Sequence, residues 1–177
     1  MRIVLVTHAQ TVDRPPRALS DEGIASAEKA ALRIREIMGE AWRVEKVVSS
    51  PTVRCVQTAL VIASALAGEK LRRLDTDPRL MAARDPMEPD QLAGALADYP
   101  CEGLLVALHA DLANALPGRG PLPGANEGWF SERPIVCILD WEGQRPWGEN
   151  PIIFLEGPGG ASLLPAGYVT VNRKLLT

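Results

Sequence analysis

Short apolar runs alternate with amphipathic stretches along the first two thirds of the chain. Residues 3–6 are apolar and lead within two residues to His8, and residues 104–108 lead directly to His109. Apolar runs this short are typical of strands buried on both faces, as in parallel sheets. Ligands of open α/β sheets bind outside the carboxyl ends of the strands. The pattern therefore predicts that both histidines border a binding site.

Helix signals separate the apolar runs. Ser20 is predicted as the N-cap of a first helix that ends near Gly39, because acidic residues follow it directly. Ser50 is predicted as the N-cap of a second helix, with Pro51 at the first helical position. Strands are predicted at 44–49 and 71–74, a loop at 75–89 and a short helix at 90–99. The predicted apolar helix faces are Ile24, Ala27, Ala31, Ile34 and Met38 in the first, and Val53, Val56, Leu60 and Ala63 in the second.

The resulting order, β-α-β-α-β-α-β, predicts a parallel sheet covered by helices. Beyond His109 the pattern indicates a helix at 111–116, a Gly/Pro-rich loop and strands at 135–141, 152–155 and 168–172. We expect these strands to extend the sheet or to form a hairpin at its edge. The predicted fold is one domain over residues 1–177, a three-layer α/β sandwich whose central sheet is mostly parallel.

Composition limits the possible functions. The 177 residues carry a net charge of −3, which argues against a nucleic-acid partner and against a polybasic membrane contact. No apolar stretch approaches the length of a membrane span. Three cysteines without C-x-x-C spacing argue against a disulfide scaffold and a structural zinc site. We expect a cytoplasmic protein with reduced cysteines.

Four ordered segments resemble the motifs of one family. They are LVTHAQT at 5–11, LSDEG at 19–23, SSPTVRCVQTA at 49–59 and LVALH at 105–109. They resemble the L-V-R-H-G-x-T, L-[ST]-x-x-G, S-S-P-x-x-R-[AC]-x-Q-T-A and V-x-V-x-H motifs of the histidine phosphatase (phosphoglycerate mutase-like) superfamily. The short chain is most similar to the small phosphohistidine phosphatase branch, and residues 117–177 diverge from the pattern.

The resemblance implies a reaction. His8 occupies the position of the histidine that accepts the phosphoryl group before water releases it, and Arg54 and His109 occupy positions that stabilise that group. This agrees with the chemistry of the residues, because a neutral imidazole is a nucleophile and a guanidinium binds phosphate oxygens in bidentate fashion. Neither a metal nor a cofactor is expected. The predicted ligand is a phosphorylated small molecule or a phosphoprotein.

Thr7, Gln10 and Thr11 are predicted substrate contacts because they flank His8 in the first motif. Two loop acids, Asp85 and Glu88, are candidate proton donors.

The chain also departs from the family pattern: Ser26 stands where the second motif usually continues to a glutamine, and three further departures concern the predicted site. Thr7 replaces the arginine before the nucleophile, Ala9 replaces the following glycine, and Ala82 stands where the family has an acid. A threonine hydroxyl supplies neither the charge nor the bidentate geometry of arginine. Two hypotheses therefore stay open: a phosphatase with impaired turnover, and a catalytically inactive member that binds phospho-ligands or regulates. The sequence makes no prediction of oligomeric state.

Overall fold

The computed structural model describes residues 2–67, 73–81, 89–109, 134–140, 152–157 and 160–163. Three helices and seven strands lie in these ranges. In chain order they are β1 (Arg2–Thr7), α1 (Asp21–Met38), β2 (Lys46–Ser49), α2 (Val53–Ala67), β3 (Leu74–Thr76), α3 (Pro89–Ala97), β4 (Gly103–Leu108), β5 (Ile135–Asp140), β6 (Ile152–Gly157) and β7 (Gly160–Leu163). None of the described helices is long and apolar enough to cross a membrane.

The described strands form a single sheet in the order β3-β2-β4-β1-β5-β6-β7. The first four strands pair in parallel, and β5, β6 and β7 extend the sheet beyond β1 through antiparallel pairs. Because β6 is antiparallel to β5, it runs in the same direction as the first four strands. The prediction of a mostly parallel α/β sheet is confirmed, as is the expectation that the later strands extend it.

Helices cover the parallel strands on both faces. Helices α1 and α2 pack against each other and against alternate residues of the strands, including Val4, Val6 and Leu105, in one buried cluster. In the strand order, the connections from β1 to β2 and from β2 to β3 lead toward the β3 edge of the sheet. The connection from β3 to β4 leads back toward β1. Right-handed crossovers therefore place α3 on the opposite face, where Leu92 and Leu96 are fully buried.

The predicted start of α2 is wrong, and so is part of its predicted buried face, although Ala63 is buried as predicted. The helix begins at Val53, three residues after Ser50, whose hydroxyl lies 3.2 Å from Nε2 of His109 and 3.5 Å from the backbone amide of Thr52. The buried face contains Cys55, Thr58, Ala59, Ile62 and Ala63. Val53 and Leu60, predicted inside, are 40% and 42% exposed. Because apolar residues occur on every side of this helix, their spacing did not determine which side faces the sheet.

Several other boundaries need correction. Strand β2 begins at Lys46, two residues later than predicted, and Ile24 of α1 is 39% exposed rather than buried. The third strand, Leu74–Thr76, extends into the predicted loop, which also contains a 3-10 turn at Pro78–Leu80. Strand β7 was not predicted, and the helix at 111–116 and the strand at 168–172 lie outside the described residues.

Two acidic residues within the predicted loop, Asp75 and Asp77, are paired in the structure. Asp75 forms ion pairs with Lys46 and Arg73. Asp77 is 3% exposed and accepts hydrogen bonds from the guanidinium of Arg79 and, at 3.0 Å, from the hydroxyl of Tyr99. The hydrogen bond from Arg79 is the main cause that lowers the pKa of Asp77 below its ordinary value. Paired carboxylates tolerate burial, which is consistent with Asp75 lying within β3 and Asp77 directly after it.

Candidate functional site

Three adjacent strands end at one edge of the sheet and place the candidate residues together. Strand β4 lies between β2 and β1, and all three run in parallel. The backbone amide of His8 donates to Leu108 at 3.2 Å, and that of Ser50 donates to Ala107 at 2.9 Å. His8, Ser50 and His109 therefore stand side by side at the carboxyl edge. The prediction that both histidines follow strands at this edge is confirmed.

The ring of His8 is held by its own neighbour. Its Nδ1 lies 3.0 Å from the carbonyl oxygen of Ala9. A carbonyl oxygen only accepts, so Nδ1 carries the proton of the neutral ring. The lone pair is then on Nε2, which makes Nε2 the nucleophilic nitrogen of His8.

The ring of His109 has the opposite arrangement. Nη2 of Arg54 lies 3.3 Å from its Nδ1, and a guanidinium only donates. Nδ1 is therefore the acceptor, and Nε2 carries the proton. That nitrogen lies 3.2 Å from the hydroxyls of both Ser50 and Thr52, and 3.7 Å from the thiol of Cys55.

The two imidazole rings meet edge to face. Their centroids are 5.5 Å apart, and the ring planes are inclined by 72°. Burial, together with the nearby Arg54 and His8, lowers the pKa of His109 from 6.5 to about 4. Burial likewise raises the pKa of the Cys55 thiol, so this neighbour adds no charge. At neutral pH His109 is uncharged, and Arg54 supplies the positive charge beside it.

This depressed pKa predicts a loss of stability in mild acid. His109 binds a proton below pH 6.5 in the unfolded chain, but only below about 4 in the folded chain. Protonation therefore favours unfolding as the pH falls through this window. Between about pH 7 and about pH 5, His109 is expected to lower the free energy of unfolding by about 2 kcal/mol. Urea denaturation at both pH values measures the change.

His109→Asn is the control, because it retains His8 and every carboxylate. The variant lacks the contribution of His109. The fall in its free energy of unfolding between the same two pH values is therefore expected to be smaller than that of the wild type, and the difference is about 2 kcal/mol. An equal acid sensitivity in both proteins would contradict the neutral, buried state of His109.

The predicted substrate contacts beside His8 are engaged with other parts of the fold. Thr7 is 2% exposed, and its hydroxyl accepts a hydrogen bond of 2.9 Å from the backbone amide of Ile135. Thr11 pairs with Leu19 in an isolated antiparallel bridge. The side chain of Gln10 accepts a hydrogen bond from the Ser20 hydroxyl. The structure thus brings together His8, Arg54 and His109. Thr7, Gln10 and Thr11 instead contact Ile135, Ser20 and Leu19 of the fold.

The candidate acids Asp85 and Glu88 lie outside the described residues. Within the described ranges, no cluster of three or more His, Cys, Asp or Glu side chains is arranged to hold a metal ion.

Two further residues of the third motif, Gln57 and Thr58, contact the segment that follows His8. The Gln57 side chain accepts a hydrogen bond from the backbone amide of Leu19 at 2.7 Å. Thr58 accepts one from the amide of Ala9 at 3.1 Å. Thr58 lies four residues after Arg54, so helical spacing alone places both side chains on neighbouring turns of one face. This four-residue spacing was the feature of the sequence from which a role of Thr58 beside Arg54 could have been predicted.

Comparison with known proteins confirms the predicted resemblance. The family model described as histidine phosphatase superfamily (branch 1) matches residues 3–83. These residues carry β1, α1, α2, His8 and Arg54. The first part of the chain therefore has the sequence pattern of the histidine phosphatase superfamily. No curated protein matches the chain by sequence.

Solved structures show the same fold. A protein histidine phosphatase SixA complexed with tungstate is 20% identical, with a TM-score of 0.57 over 79% of this chain and 89% of that one. Phosphoserine phosphatase from Entamoeba histolytica, in complex with phosphoserine, is 12% identical, with a TM-score of 0.55 over 86% and 94%. Phosphoglycerate mutase from Plasmodium falciparum is 23% identical, with a TM-score of 0.50 over 96% and 97%. The fold is phosphoglycerate mutase-like.

Proposed function

We propose that this protein is a phosphatase that works through a phosphohistidine on His8. The observation that carries the proposal is the pair of contacts made by the two Nδ1 atoms: that of His8 lies against a carbonyl oxygen and that of His109 against a guanidinium, so we assign the two rings opposite tautomers. Nδ1 of His8 donates to the carbonyl oxygen of Ala9. The lone pair of the neutral ring is then on Nε2, which can act as the nucleophile. His109 instead accepts from Arg54 and thereby holds the guanidinium beside the nucleophile.

The proposed reaction has two steps. Nε2 of His8 attacks phosphorus, a P–N bond forms, and the bond from phosphorus to the leaving group breaks. Water then attacks the phosphohistidine, which releases inorganic phosphate and restores the imidazole. Arg54 offers its other N–H groups to the phosphoryl oxygens, and His109, whose ring centroid lies 5.5 Å from that of His8, holds the guanidinium beside the reacting group.

The proposed substrates are phosphorylated small molecules or phosphoproteins. The relatives of similar fold include proteins named for phosphohistidine and for phosphoserine. Asp85 and Glu88 stay the predicted donors of a proton to the leaving group. An aryl phosphate or a phosphoramidate is the best first substrate, because its leaving group departs with little help from an acid.

A second candidate function is a phospho-ligand-binding module without turnover. One contact favours it: Thr7, at the position of a family arginine, is buried and joined to Ile135 of β5. Thr7 therefore contributes no guanidinium to the site, and among the described residues Arg54 provides the positive charge beside the two histidines. Loss of one transition-state donor typically lowers turnover about 100- to 1000-fold.

Trapping the intermediate distinguishes the two functions. The wild-type protein is incubated with an aryl phosphate, quenched in base and analysed by mass spectrometry. We expect one phosphoryl group on the peptide that contains His8, stable in base and lost in acid, as a P–N bond requires. Binding of tungstate without any phosphorylated His8 would instead support the binding module. His8→Asn is the matched control, and a phosphoryl group elsewhere in that variant would contradict the assignment.

A further inference from the structure

Thr58 joins the two segments that carry the proposed nucleophile and the proposed phosphate ligand. It is fully buried in α2, one turn after Arg54. Its hydroxyl accepts a hydrogen bond from the backbone amide of Ala9 at 3.1 Å and donates one to the carbonyl of Arg54 at 2.8 Å. Both functions of one hydroxyl are thus used, and they connect residues that are distant along the chain.

The contact continues to the ring of His8. Ala9 donates through its amide to Thr58 and accepts through its carbonyl from Nδ1 of His8. Ala9 itself is 0% exposed, so water does not replace Thr58 as the partner of this amide. If the hydroxyl is removed, the buried amide loses its acceptor, and the backbone of Ala9 is free to turn away. The carbonyl that fixes the tautomer of His8 then moves with it.

We propose that Thr58 is a positioning residue for phosphoryl transfer, which holds Ala9 so that His8 presents Nε2 at a fixed distance from Arg54. This inference rests on the proposed phosphatase function. A purely structural threonine in a helix would fill space and bond to the carbonyl of its own preceding turn. The additional bond to Ala9, across 49 residues of sequence, is what a structural role does not require.

Three proteins test the proposal: the wild type, Thr58→Val and Thr58→Ser. Valine retains the shape without the hydroxyl, and serine retains the hydroxyl. Nitrogen-15 NMR of the imidazoles reports the tautomers directly, because the chain contains two histidines. We expect His8 to be protonated on Nδ1 in the wild type and in Thr58→Ser, and to become a mixture of tautomers in Thr58→Val. His109 is expected to keep its Nε2 proton in all three.

Kinetics provide the second readout. With an aryl phosphate, kcat of Thr58→Val is expected to fall about 10- to 100-fold, while KM changes much less, because a nucleophile displaced by a fraction of an ångström loses rate rather than affinity. Thr58→Ser is expected to recover most of the rate. Ile62→Val is the matched control: Ile62 is buried in the same helix, and this variant should leave the His8 tautomer and kcat unchanged.

The outcomes separate this inference from the proposed function. An unchanged His8 tautomer and unchanged kcat in folded Thr58→Val would overturn the positioning role. If the wild type shows no turnover at all, the phosphatase proposal fails, while the NMR comparison still tests whether Thr58 fixes the ring. If Thr58→Val does not fold, hydrogen exchange in the wild type decides. A rapidly exchanging Ala9 amide would overturn the inference, and a protected one would support it.

Discussion

Replacing His8 by alanine is expected to abolish hydrolysis of an aryl phosphate, with a fall in turnover of about 10,000-fold or more. The reason is that Nε2 of His8 forms the bond to phosphorus in the proposed reaction. Its alternative in the site, His109, has both ring nitrogens directed at protein groups, Arg54 on one side and the hydroxyls of Ser50 and Thr52 on the other. Steady-state kinetics at neutral pH measure the loss.

Binding of tungstate separates chemistry from affinity in the same variant. His8→Ala retains the contact between Arg54 and His109, so the oxyanion is expected to bind within about ten-fold of the wild-type affinity. Arg54→Gln is the reciprocal control, because it retains both rings and removes the charge, and it should lose binding together with turnover. If His8→Ala retained the wild-type rate, the phosphohistidine mechanism would be wrong.

The arrangement of the proposed site was predictable because it follows from the position of strand ends. His8 and His109 each follow a run of residues that is apolar enough to be buried on both faces, and parallel strands bring such ends to one edge. Motif spacing then placed Arg54 at the start of the next helix. These predictions needed local patterns alone, and the family pattern over the first part of the chain reinforces them.

Contacts between distant segments were not predictable from these patterns. The amide of Ile135 donates to the hydroxyl of Thr7 across 128 residues, so a residue predicted as a substrate contact in place of an arginine instead joins β1 to β5. Ser50 has a typical capping side chain in front of a proline. It binds His109 instead, and α2 begins three residues later. In both cases the side chain contacts a residue that is distant along the chain. A prediction from neighbouring residues alone cannot identify such a contact.

The glycine of the second motif shows how such a contact determines a residue type. Gly23 lies in the first turn of α1, and a Cβ at this position would be 2.1 Å from the carbonyl oxygen of Gln10. Gln10 also accepts from the backbone amide and the hydroxyl of Ser20, the N-cap of α1. The start of this helix therefore packs directly on the backbone that follows the nucleophile.

Gly23→Ala is accordingly expected to destabilise the protein by about 2 to 3 kcal/mol, because the atoms in the way are backbone and have no alternative rotamer. Alanine is otherwise the better helix former by about 1 kcal/mol, so a loss of stability is a specific sign of this clash. Displacement of Gln10 also shifts His8, two residues earlier, and turnover is expected to fall about 100-fold. Urea denaturation and steady-state kinetics measure the two effects.

Two other glycines provide matched controls for Gly23→Ala. A Cβ on Gly94, in α3, would meet no atom within 4 Å, so Gly94→Ala is expected to be neutral or to stabilise by up to about 1 kcal/mol. Gly103 is the first residue of β4, at the opposite end of that strand from His109. A Cβ on Gly103 would lie 1.8 Å from the carbonyl oxygen of Arg43. Gly103→Ala should therefore destabilise the fold while the folded protein retains its turnover. If Gly23→Ala were as stable and as active as Gly94→Ala, α1 would not pack against Gln10 as described, because that packing leaves no space for a methyl group.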